Sequence, residues 1–270
     1  MLSNVQMSRQ THFVVTDEAG VGQVSGLAQR IARQTEWSMV PIASARKLLL
    51  AGLLALALLA PRLPAAPLRV ACVGDSITAG VGASPGNNYP AVLGRLLGQG
   101  YEVRNFGVSG RTLLSQGDYP WIKEAACSQA LAYEPNIVVI MLGTNDSKPH
   151  NWAHRAEFRG DYAALIDRFA ALGSKPLVYA CLPVPAFPGN WGINDPVIAD
   201  EICPIIRDVV KEKGARLIDL HTPLTGHGDC FPDKVHPNDQ GAYGMAMVVN
   251  SVIAAPSTAG NSALVPVPKL

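Results

Sequence analysis

Short apolar segments alternate along this chain with longer segments of helical pattern, and this alternation most strongly constrains the fold. A strand that is buried on both faces of a parallel sheet is apolar throughout, and the run IVVIML at 137–142 meets that requirement best. Strands that alternate with helices form a parallel sheet covered by helices on both faces. The pattern predicts strands at Leu68 to Val73, Glu102 to Asn105, Ile137 to Leu142, Leu177 to Cys181 and Arg216 to Ile218.

The intervening segments read as helices, and several of them end close to a glycine. Glycine is favoured after a helix because it adopts the left-handed conformation without steric cost, and we expect Gly98, Gly173 and Gly214 to end helices in this way. Ligands of such folds bind beyond the carboxyl ends of the strands. The predicted helices are Tyr89 to Leu97, Ala125 to Tyr133, Phe158 to Leu172, Pro196 to Lys213 and Asp239 to Ile253.

The length fits one folded domain, and the charge is nearly balanced. The 270 residues accommodate a single α/β domain, predicted at 67–255, followed by a flexible Pro/Ala/Ser-containing tail at 256–270. The chain has 22 basic and 21 acidic residues and a formal net charge of +1. Nothing in this balance attracts nucleic acid or an anionic membrane, so neither is an expected partner.

An apolar run at Leu48 to Ala60 follows the basic pair Arg46-Lys47. At about 13 residues it is shorter than the roughly 20 that span a bilayer, and its flanks are those of a secretory signal peptide, although a buried core helix is the alternative. The signal is placed at 39–66, with translation starting at Met39, cleavage between Ala60 and Ala66, and a non-native or disordered extension at 1–38. These features predict an exported protein, periplasmic or secreted, without an integral membrane segment after signal removal.

The five cysteines show no spacing typical of a metal site, so no metal ion is expected. Cys72 and Cys181 lie within apolar strand-like runs, where a buried thiol acts as a small hydrophobic side chain. Export would permit one disulfide bond. Cys203 with Cys230 is the better pairing, which leaves Cys127 unpaired.

The first candidate catalytic segment is GDSIT at 74–78, directly after the first strand. A serine at a strand-to-helix turn exposes its hydroxyl while its own N–H points toward a forming oxyanion, which favours Ser76 as a nucleophile. Helix capping by Asp75 or Ser76 explains the same residues about as well. The sequence lacks the G-x-S-x-G motif, which excludes the nucleophile elbow of α/β-hydrolases.

Two further segments follow the second and third strands. The stretch at 105–112 contains Gly107 and Gly110, whose backbone N–H groups could approach a ligand closely, although a plain turn is the alternative. GTND at 143–146 places an amide donor, Asn145, at the carboxyl edge of the sheet, where it could donate to an oxyanion. Asp146 could cap or brace the loop. Asparagine is common in turns, so this motif alone is weak.

The last segment is DKVHP at 233–237, directly before the final helix. If the chain turns there, the Asp233 carboxylate holds one nitrogen of His236 while the other nitrogen faces the serine, which is the relation an acyl-transfer triad needs. The remaining histidines have no carboxylate in a comparable sequence context: His12, His150, His154, His221 and His227.

Together these four segments resemble the four blocks of GDSL/SGNH hydrolases, and they span about 165 residues, essentially the whole folded domain. The resemblance implies a flavodoxin-like, three-layer α/β/α fold with a five-stranded parallel sheet. It also implies a serine esterase with Ser76 as the nucleophile and Asp233 and His236 completing the triad. The oxyanion hole would consist of the Ser76 N–H, the Gly110 N–H and the Asn145 amide, with Gly107 as the alternative to Gly110.

The sequence constrains the substrate less than it constrains the reaction. Trp152 and Trp191 lie in loops at the expected active-site edge, where they could stack on a sugar or merely pack the loops. The segment TNDSKPHNW is similar to one in the carbohydrate O-acetylesterase branch of the family, including sialate esterases, which favours removal of acetyl groups from carbohydrate. No cofactor is expected. Lysophospholipase, arylesterase, thioesterase and O-acetyltransferase activities remain alternatives. A nucleotide-binding module is not expected, because no phosphate-binding glycine motif is present.

Overall fold

The computed structural model describes residues 66–189 and 191–254, and these contain a five-stranded sheet in which every strand pair is parallel. The strand order is β2-β1-β3-β4-β5, which is the flavodoxin-like order. The predicted fold class is therefore confirmed. The strands are β1 (Leu68–Gly74), β2 (Tyr101–Gly107), β3 (Ile137–Met141), β4 (Leu177–Leu182) and β5 (Arg216–Asp219).

Helices connect the strands, and several begin at a residue whose side chain accepts a hydrogen bond from the first helical turn. Asp75, Asn88 and Asn238 act in this way and satisfy N–H groups that have no partner within the helix. The α-helices are α1 (Ser76–Ala79), α2 (Tyr89–Leu97), α3 (Ala125–Ala132), α4 (Pro149–Trp152), α5 (Arg155–Ala170), α6 (Asp195–Val197), α7 (Cys203–Lys213), α8 (His221–Leu224) and α9 (Asp239–Ile253).

The sheet separates two apolar cores. All five residues of β3 are buried, and alternate side chains face opposite layers, because successive residues of a strand point to opposite faces. Val138 and Ile140 pack with side chains of α3, α5 and α7, whereas Ile137, Val139 and Met141 pack with side chains of α2 and α9. The architecture is thus a helix–sheet–helix sandwich.

The strand order reverses at β1, which lies between β2 and β3. A crevice forms beyond the carboxyl ends of the strands at such a reversal, and ligands of open α/β sheets bind there. Ser76 follows β1 directly, and Asn145 comes shortly after β3. The topology therefore brings two of the candidate catalytic segments to the same edge.

The helix predicted from Pro196 to Lys213 is present and continuous, and it contains a π-helical stretch at Ile198–Ile202 between α6 and α7. One detail of the predicted helix ends is wrong. Gly98 and Gly214 follow helices with positive φ, as expected, but Gly173 does not: α5 already ends at Ala170 with a right-handed cap, and the positive φ falls at Lys175.

The predicted disulfide bond is also wrong, because all five cysteines are free and buried. Cys203 belongs to the core on the α5 and α7 side of the sheet, and Cys230 belongs to the core on the opposite side. The sheet therefore separates the two thiols. Cys72 and Cys181 are fully buried within β1 and β4, as their apolar surroundings predicted.

The predicted extension at 1–38 and tail at 256–270 lie outside the described residues, as does the predicted signal peptide at 39–66 apart from Ala66, so these boundaries stay predictions. Within the part of the chain that the structure describes, no helix has the length and apolar character needed to cross a membrane.

Candidate active site

Ser76 opens the short helix α1 and is held by the residue before it. The Asp75 carboxylate caps this helix by accepting a hydrogen bond from the Ile77 N–H at 3.0 Å. Asn105, at the end of β2, donates to the Thr78 carbonyl at 2.6 Å and so fixes the far end of the helix. The capping that the sequence offered as an alternative thus occurs, but Asp75 provides it and leaves the serine hydroxyl free.

The Ser76 hydroxyl lies 2.8 Å from Nε2 of His236, and Nδ1 of His236 lies 2.6 Å from Oδ2 of Asp233. Ser76 and His236 are 160 positions apart in the sequence, and the fold brings them together. The second oxygen of Asp233 accepts from the backbone N–H groups of Val235 and His236. This turn requires a left-handed residue, Lys234, at φ 77°. The three predicted triad residues therefore form one hydrogen-bonded series.

The protonation of this series follows from the surroundings of Asp233. Burial acts to raise the pKa of Asp233, but hydrogen bonds from the His236 backbone, the His236 ring and the Val235 N–H hold it below its usual value. The carboxylate is therefore ionised at neutral pH and takes the Nδ1 proton of the ring as its partner. Nε2 is then the acceptor that faces the serine hydroxyl.

The backbone at Gly82, which sequence reasoning missed, packs closely against His236 and Pro237. Gly82 has φ +90°, and a Cβ atom there would lie 2.7 Å from the Pro237 carbonyl oxygen and 2.9 Å from Cβ of His236. Only glycine fits this close approach. The signal in the sequence was the G-x-G spacing of Gly80 and Gly82 directly after the nucleophile helix.

Asn145 lies close to Asp75, the residue before the serine, at the start of a 3₁₀ turn after β3, and is buried. Its amide nitrogen lies 3.2 Å from the Arg111 carbonyl oxygen and 3.4 Å from Oδ2 of Asp75. Both distances exceed the usual N–H···O length of about 2.9 Å. The amide is thus close to Asp75, which precedes the serine, and it is held by long contacts.

The two glycines of the β2 loop have different surroundings. Gly107 packs directly on α1, since a Cβ atom there would lie 2.3 Å from the Ala79 backbone nitrogen, and its own N–H already donates to Asn105. Gly110 has φ +81°, has open space around its Cβ position, and among the described residues has no acceptor for its N–H. The N–H of Gly110 is therefore available to a ligand, whereas that of Gly107 is not.

Two buried carboxylates, those of Asp75 and Asp146, lie next to Asn145 in space or in sequence. Burial raises the pKa of Asp75 to about 6 and that of Asp146 to about 7, and the charge of Asp75 contributes to the second shift. Asp146 accepts from the backbone N–H groups of Leu113 and Leu114 at 3.0 and 2.8 Å. It therefore braces the loop after β2 against the loop after β3, as the sequence predicted.

The two tryptophans have opposite environments. Trp152 is 6% exposed, packs edge-on against Phe158 and donates its indole N–H to Glu201 at 2.9 Å. It has the packing role that the sequence left open, and burial leaves no ring face for a sugar. Trp191 is 64% exposed, and its ring centroid lies 6.2 Å from that of His236. Only Trp191 of the two is placed to contact a substrate.

Two other histidines do have acidic partners, contrary to the expectation from sequence context. His221 lies 3.3 Å from Asp195, and His150 lies 3.2 Å from Asp118. Both partners are distant in sequence, so local context could not reveal them. Neither pair contains a nucleophile. In the described ranges, no group of three or more His, Cys, Asp or Glu side chains is arranged to hold a metal ion.

Comparison with known proteins identifies a family and several relatives. Residues 72–243 match the model of the GDSL-like lipase/acylhydrolase family. An acetylxylan esterase of Xylanibacter ruminicola is 44% identical over 206 residues, which are 69% of this chain and 43% of that protein. Esterase TesA of Pseudomonas aeruginosa is 36% identical over 198 residues, which are 71% of this chain and 90% of that protein.

Solved structures show the same fold. The carbohydrate acetylesterase Est24 of Sinorhizobium meliloti matches with a TM-score of 0.55 at 19% identity, over 69% of this chain and 98% of its own. Coverage differs between the two sequence relatives: the chain spans less than half the length of the acetylxylan esterase and nearly all of TesA.

Proposed function

The chain belongs to the GDSL-like lipase/acylhydrolase family, which makes it a carboxylic ester hydrolase, and we propose that it removes acetyl groups from carbohydrate. The observation that carries the proposal is the hydrogen-bonded series from the Ser76 hydroxyl through the His236 ring to the Asp233 carboxylate. Nucleophile, base and orienting carboxylate in this relation are what acyl transfer to a serine requires.

In the acylation step, Nε2 of His236 takes the proton of the Ser76 hydroxyl while Oγ bonds to the ester carbonyl carbon. Asp233 stabilises the imidazolium that forms, because its ionised carboxylate lies 2.6 Å from Nδ1. The tetrahedral intermediate then collapses, and His236 returns the proton to the leaving alkoxide. In the second step, His236 deprotonates a water molecule that attacks the carbonyl carbon of the acyl-enzyme. The bond between Oγ of Ser76 and that carbon then breaks, His236 returns the proton to Oγ, and the carboxylic acid leaves.

The charge that develops on the carbonyl oxygen needs donors on the side of the serine away from the base. We assign this role to the N–H groups of Ser76 and Gly110 and to the Asn145 amide. Gly110 is favoured over Gly107 because its N–H has no acceptor among the described residues. Donors fixed in a partly desolvated site stabilise an oxyanion more than water does, because they do not reorganise during the reaction.

Two observations support acetylated carbohydrate as the substrate. The relative with 44% identity is an acetylxylan esterase, although this chain covers only 43% of it. Beside the base, Trp191 exposes an aromatic ring of the kind that stacks on a sugar face. Export, which stays a prediction from the sequence, would place the enzyme where polymeric carbohydrate is accessible.

The test is an ester panel with the purified protein: p-nitrophenyl esters of increasing chain length beside acetylated xylan. Activity should be highest on acetate, fall beyond butyrate, and release acetate from the polymer. Trp191→Ala should raise KM for acetylated xylan roughly threefold to tenfold and leave p-nitrophenyl acetate unchanged, because ring contacts of this kind contribute about 1 kcal/mol. A maximum at eight carbons or more would sink the acetyl assignment and favour a lipase or thioesterase.

The nucleophile is tested by Ser76→Ala, which should lower kcat/KM on p-nitrophenyl acetate by about ten-thousandfold or more. Ser251→Ala is the matched control, since that hydroxyl donates only to the Val248 carbonyl within α9. Full activity in Ser76→Ala would refute the proposed mechanism. Product analysis with a sugar acceptor present distinguishes hydrolysis from O-acetyl transfer by the same triad.

A further inference from the structure

We propose that Arg111 is a positioning residue for the two proposed oxyanion donors that lie outside α1. The side chain of Arg111 sets the direction of the Gly110 N–H, and the backbone carbonyl of Arg111 orients the Asn145 amide. This inference rests on the proposed function. It assigns Arg111 no contact with the substrate.

The Arg111 side chain is fixed at three places. One terminal nitrogen donates to the Ser109 carbonyl at 2.7 Å, while Nε and the other terminal nitrogen each lie 2.9 Å from the same Glu124 oxygen. The guanidinium also lies over the Tyr119 ring at 5.4 Å. Its exposed fraction is 27%, so water screens the Glu124 ion pair only in part. A planar fork bound on several edges has one orientation.

That orientation matters because the Ser109 carbonyl and the Gly110 N–H belong to one peptide group. The peptide is planar and trans, so its N–H points opposite to its C=O. A hydrogen bond that fixes the Ser109 carbonyl therefore fixes the direction of the Gly110 N–H. Arg111 binds the carbonyl end of the peptide, and the N–H end stays free for a ligand.

The local turn shows what Arg111 prevents. The Arg111 N–H donates to the Val108 carbonyl at 3.4 Å and closes a four-residue turn in which Gly110, the third residue, has φ +81°. Positive φ at that position is typical of a type II turn, and type I and type II turns differ by a flip of the central peptide. The central peptide here is the one between Ser109 and Gly110. Without the guanidinium, the flipped state, with the N–H turned away, becomes accessible.

The backbone of the same residue reaches the third donor. The Arg111 carbonyl accepts from the Asn145 amide nitrogen at 3.2 Å, so a shift of the turn moves the acceptor that orients this side chain. Arg111 thus couples the loop after β2 to the loop after β3. Both couplings concern groups that act on the developing oxyanion, so loss of Arg111 should affect the transition state more than substrate binding.

The experiment compares wild type, Arg111→Ala, Arg111→Lys and Arg104→Ala, using kcat and KM on p-nitrophenyl acetate, the inhibition constant of phenylboronic acid and the thermal unfolding midpoint. Phenylboronic acid forms a tetrahedral adduct with a serine hydroxyl and places an oxygen where the oxyanion forms. Arg104 is a matched control, because it also pairs with a glutamate, Glu102, and lies over a tyrosine, Tyr133. It is on β2, outside the proposed active site.

Arg111→Ala should lower kcat roughly tenfold to a hundredfold with KM nearly unchanged, since a small misplacement of a reacting or stabilising group costs about that much. The inhibition constant of phenylboronic acid should rise by a similar factor. Arg111→Lys should recover part of the loss, because an ammonium reaches the Ser109 carbonyl or Glu124 but does not reproduce the fork. Arg104→Ala should keep wild-type kcat.

Three results would overturn the inference: wild-type kcat in Arg111→Ala, a kcat loss without any change in phenylboronic acid inhibition, or full activity in Arg111→Lys, which would indicate charge rather than geometry. These outcomes are separable from failure of the proposed function. If Ser76→Ala is inactive while Arg111→Ala is fully active, only the positioning role fails; if Ser76→Ala is fully active, the proposed mechanism fails as well.

Discussion

The two sides of Ser76 are built differently. On the base side, Ser76, His236 and Asp233 are joined by contacts of 2.8 and 2.6 Å, and the carboxylate has a lowered pKa. On the donor side, the Asn145 amide makes contacts of 3.2 and 3.4 Å, and the nearest carboxylate, Asp75, has a pKa raised to about 6. The shortest of these contacts involves an ionised carboxylate, Asp233, whereas the longest two involve the neutral Asn145 amide.

This difference indicates how the work of the reaction is divided. Charge-assisted hydrogen bonds are short and strong, so the base is oriented before an ester arrives. Long contacts are weak, so an oxyanion at ordinary hydrogen-bond length would outcompete them for the Asn145 amide protons. The base side is therefore preorganised by charge, whereas the donor side is preorganised by the loops that carry Gly110, Arg111 and Asn145.

The largest expected effect is that of removing the charge from the base side. In Asp233→Asn, the new amide would donate toward Nδ1 of His236, so the ring proton would move to Nε2, and Nε2 could no longer accept the serine proton. We expect kcat/KM on p-nitrophenyl acetate to fall by about a thousandfold to ten-thousandfold.

Asp229→Asn is the control for this substitution, because it lies in the same loop and its side chain is exposed. It should stay close to wild type. If Asp233→Asn kept activity within about tenfold of wild type, a smaller loss than a charge-oriented base requires, the base side would not depend on charge and the comparison would break.

Asn145→Ala should have a smaller effect, a loss of about a hundredfold to a thousandfold in kcat with KM nearly constant, because one of three donors is removed and two remain. The measurement is steady-state kinetics on p-nitrophenyl acetate, with thermal unfolding measured in parallel, since Asn145 also contacts Arg111 and Asp75. A KM increase with unchanged kcat would show that Asn145 binds the ground state instead, and the two sides of Ser76 would no longer divide as proposed.

Much of the fold could be predicted because its determinants are local. The continuous apolar run at 137–142 marked β3, the alternation of short strand-like segments with helices located the other four strands, and the same alternation predicted their parallel arrangement. Features without a local signal were missed. The π-helical stretch at Ile198–Ile202 lies within a continuous helical pattern that does not reveal it, and the predicted pairing of Cys203 with Cys230 ignored the sheet that separates them.

The residues of the candidate site also differ in whether a local sequence signal identifies them. Ser76, Asn145, Asp233 and His236 stand in short segments directly after strands or before a helix, where position and residue type together indicate chemistry. Arg111 gave no such signal, because its importance lies in contacts with Ser109 and Glu124 that only the folded loop creates. Trp152 and Trp191 looked equivalent in sequence, and only burial separates them.

The two carboxylates that flank the serine should also respond oppositely to pH. Burial raises the pKa of Asp75 to about 6, so between about pH 4 and pH 6 the folded state keeps a proton that the unfolded chain releases. The contribution of Asp75 to stability therefore falls as pH rises through this range. The pKa of Asp233 is lowered, so its stabilising contribution is present at neutral pH and is lost as pH falls through the folded pKa.

The smallest expected effect concerns Asp75 and is a change in the pH dependence of stability. Asp75→Asn keeps an oxygen to accept from the Ile77 N–H, and asparagine is an equally good helix cap, so the fold should persist. Relative to wild type, the free energy of unfolding of the variant should rise by roughly 3 kcal/mol between about pH 4 and pH 7, since each pKa unit corresponds to about 1.4 kcal/mol. Urea unfolding at several pH values measures this difference.

Asp239→Asn is the control and should show a difference of the opposite sign, because hydrogen bonds from Ser84 lower the pKa of Asp239. A pH-independent difference for Asp75→Asn would mean that Asp75 ionises as an exposed carboxylate does, and the contrast between the two sides of Ser76 would then rest on distances alone.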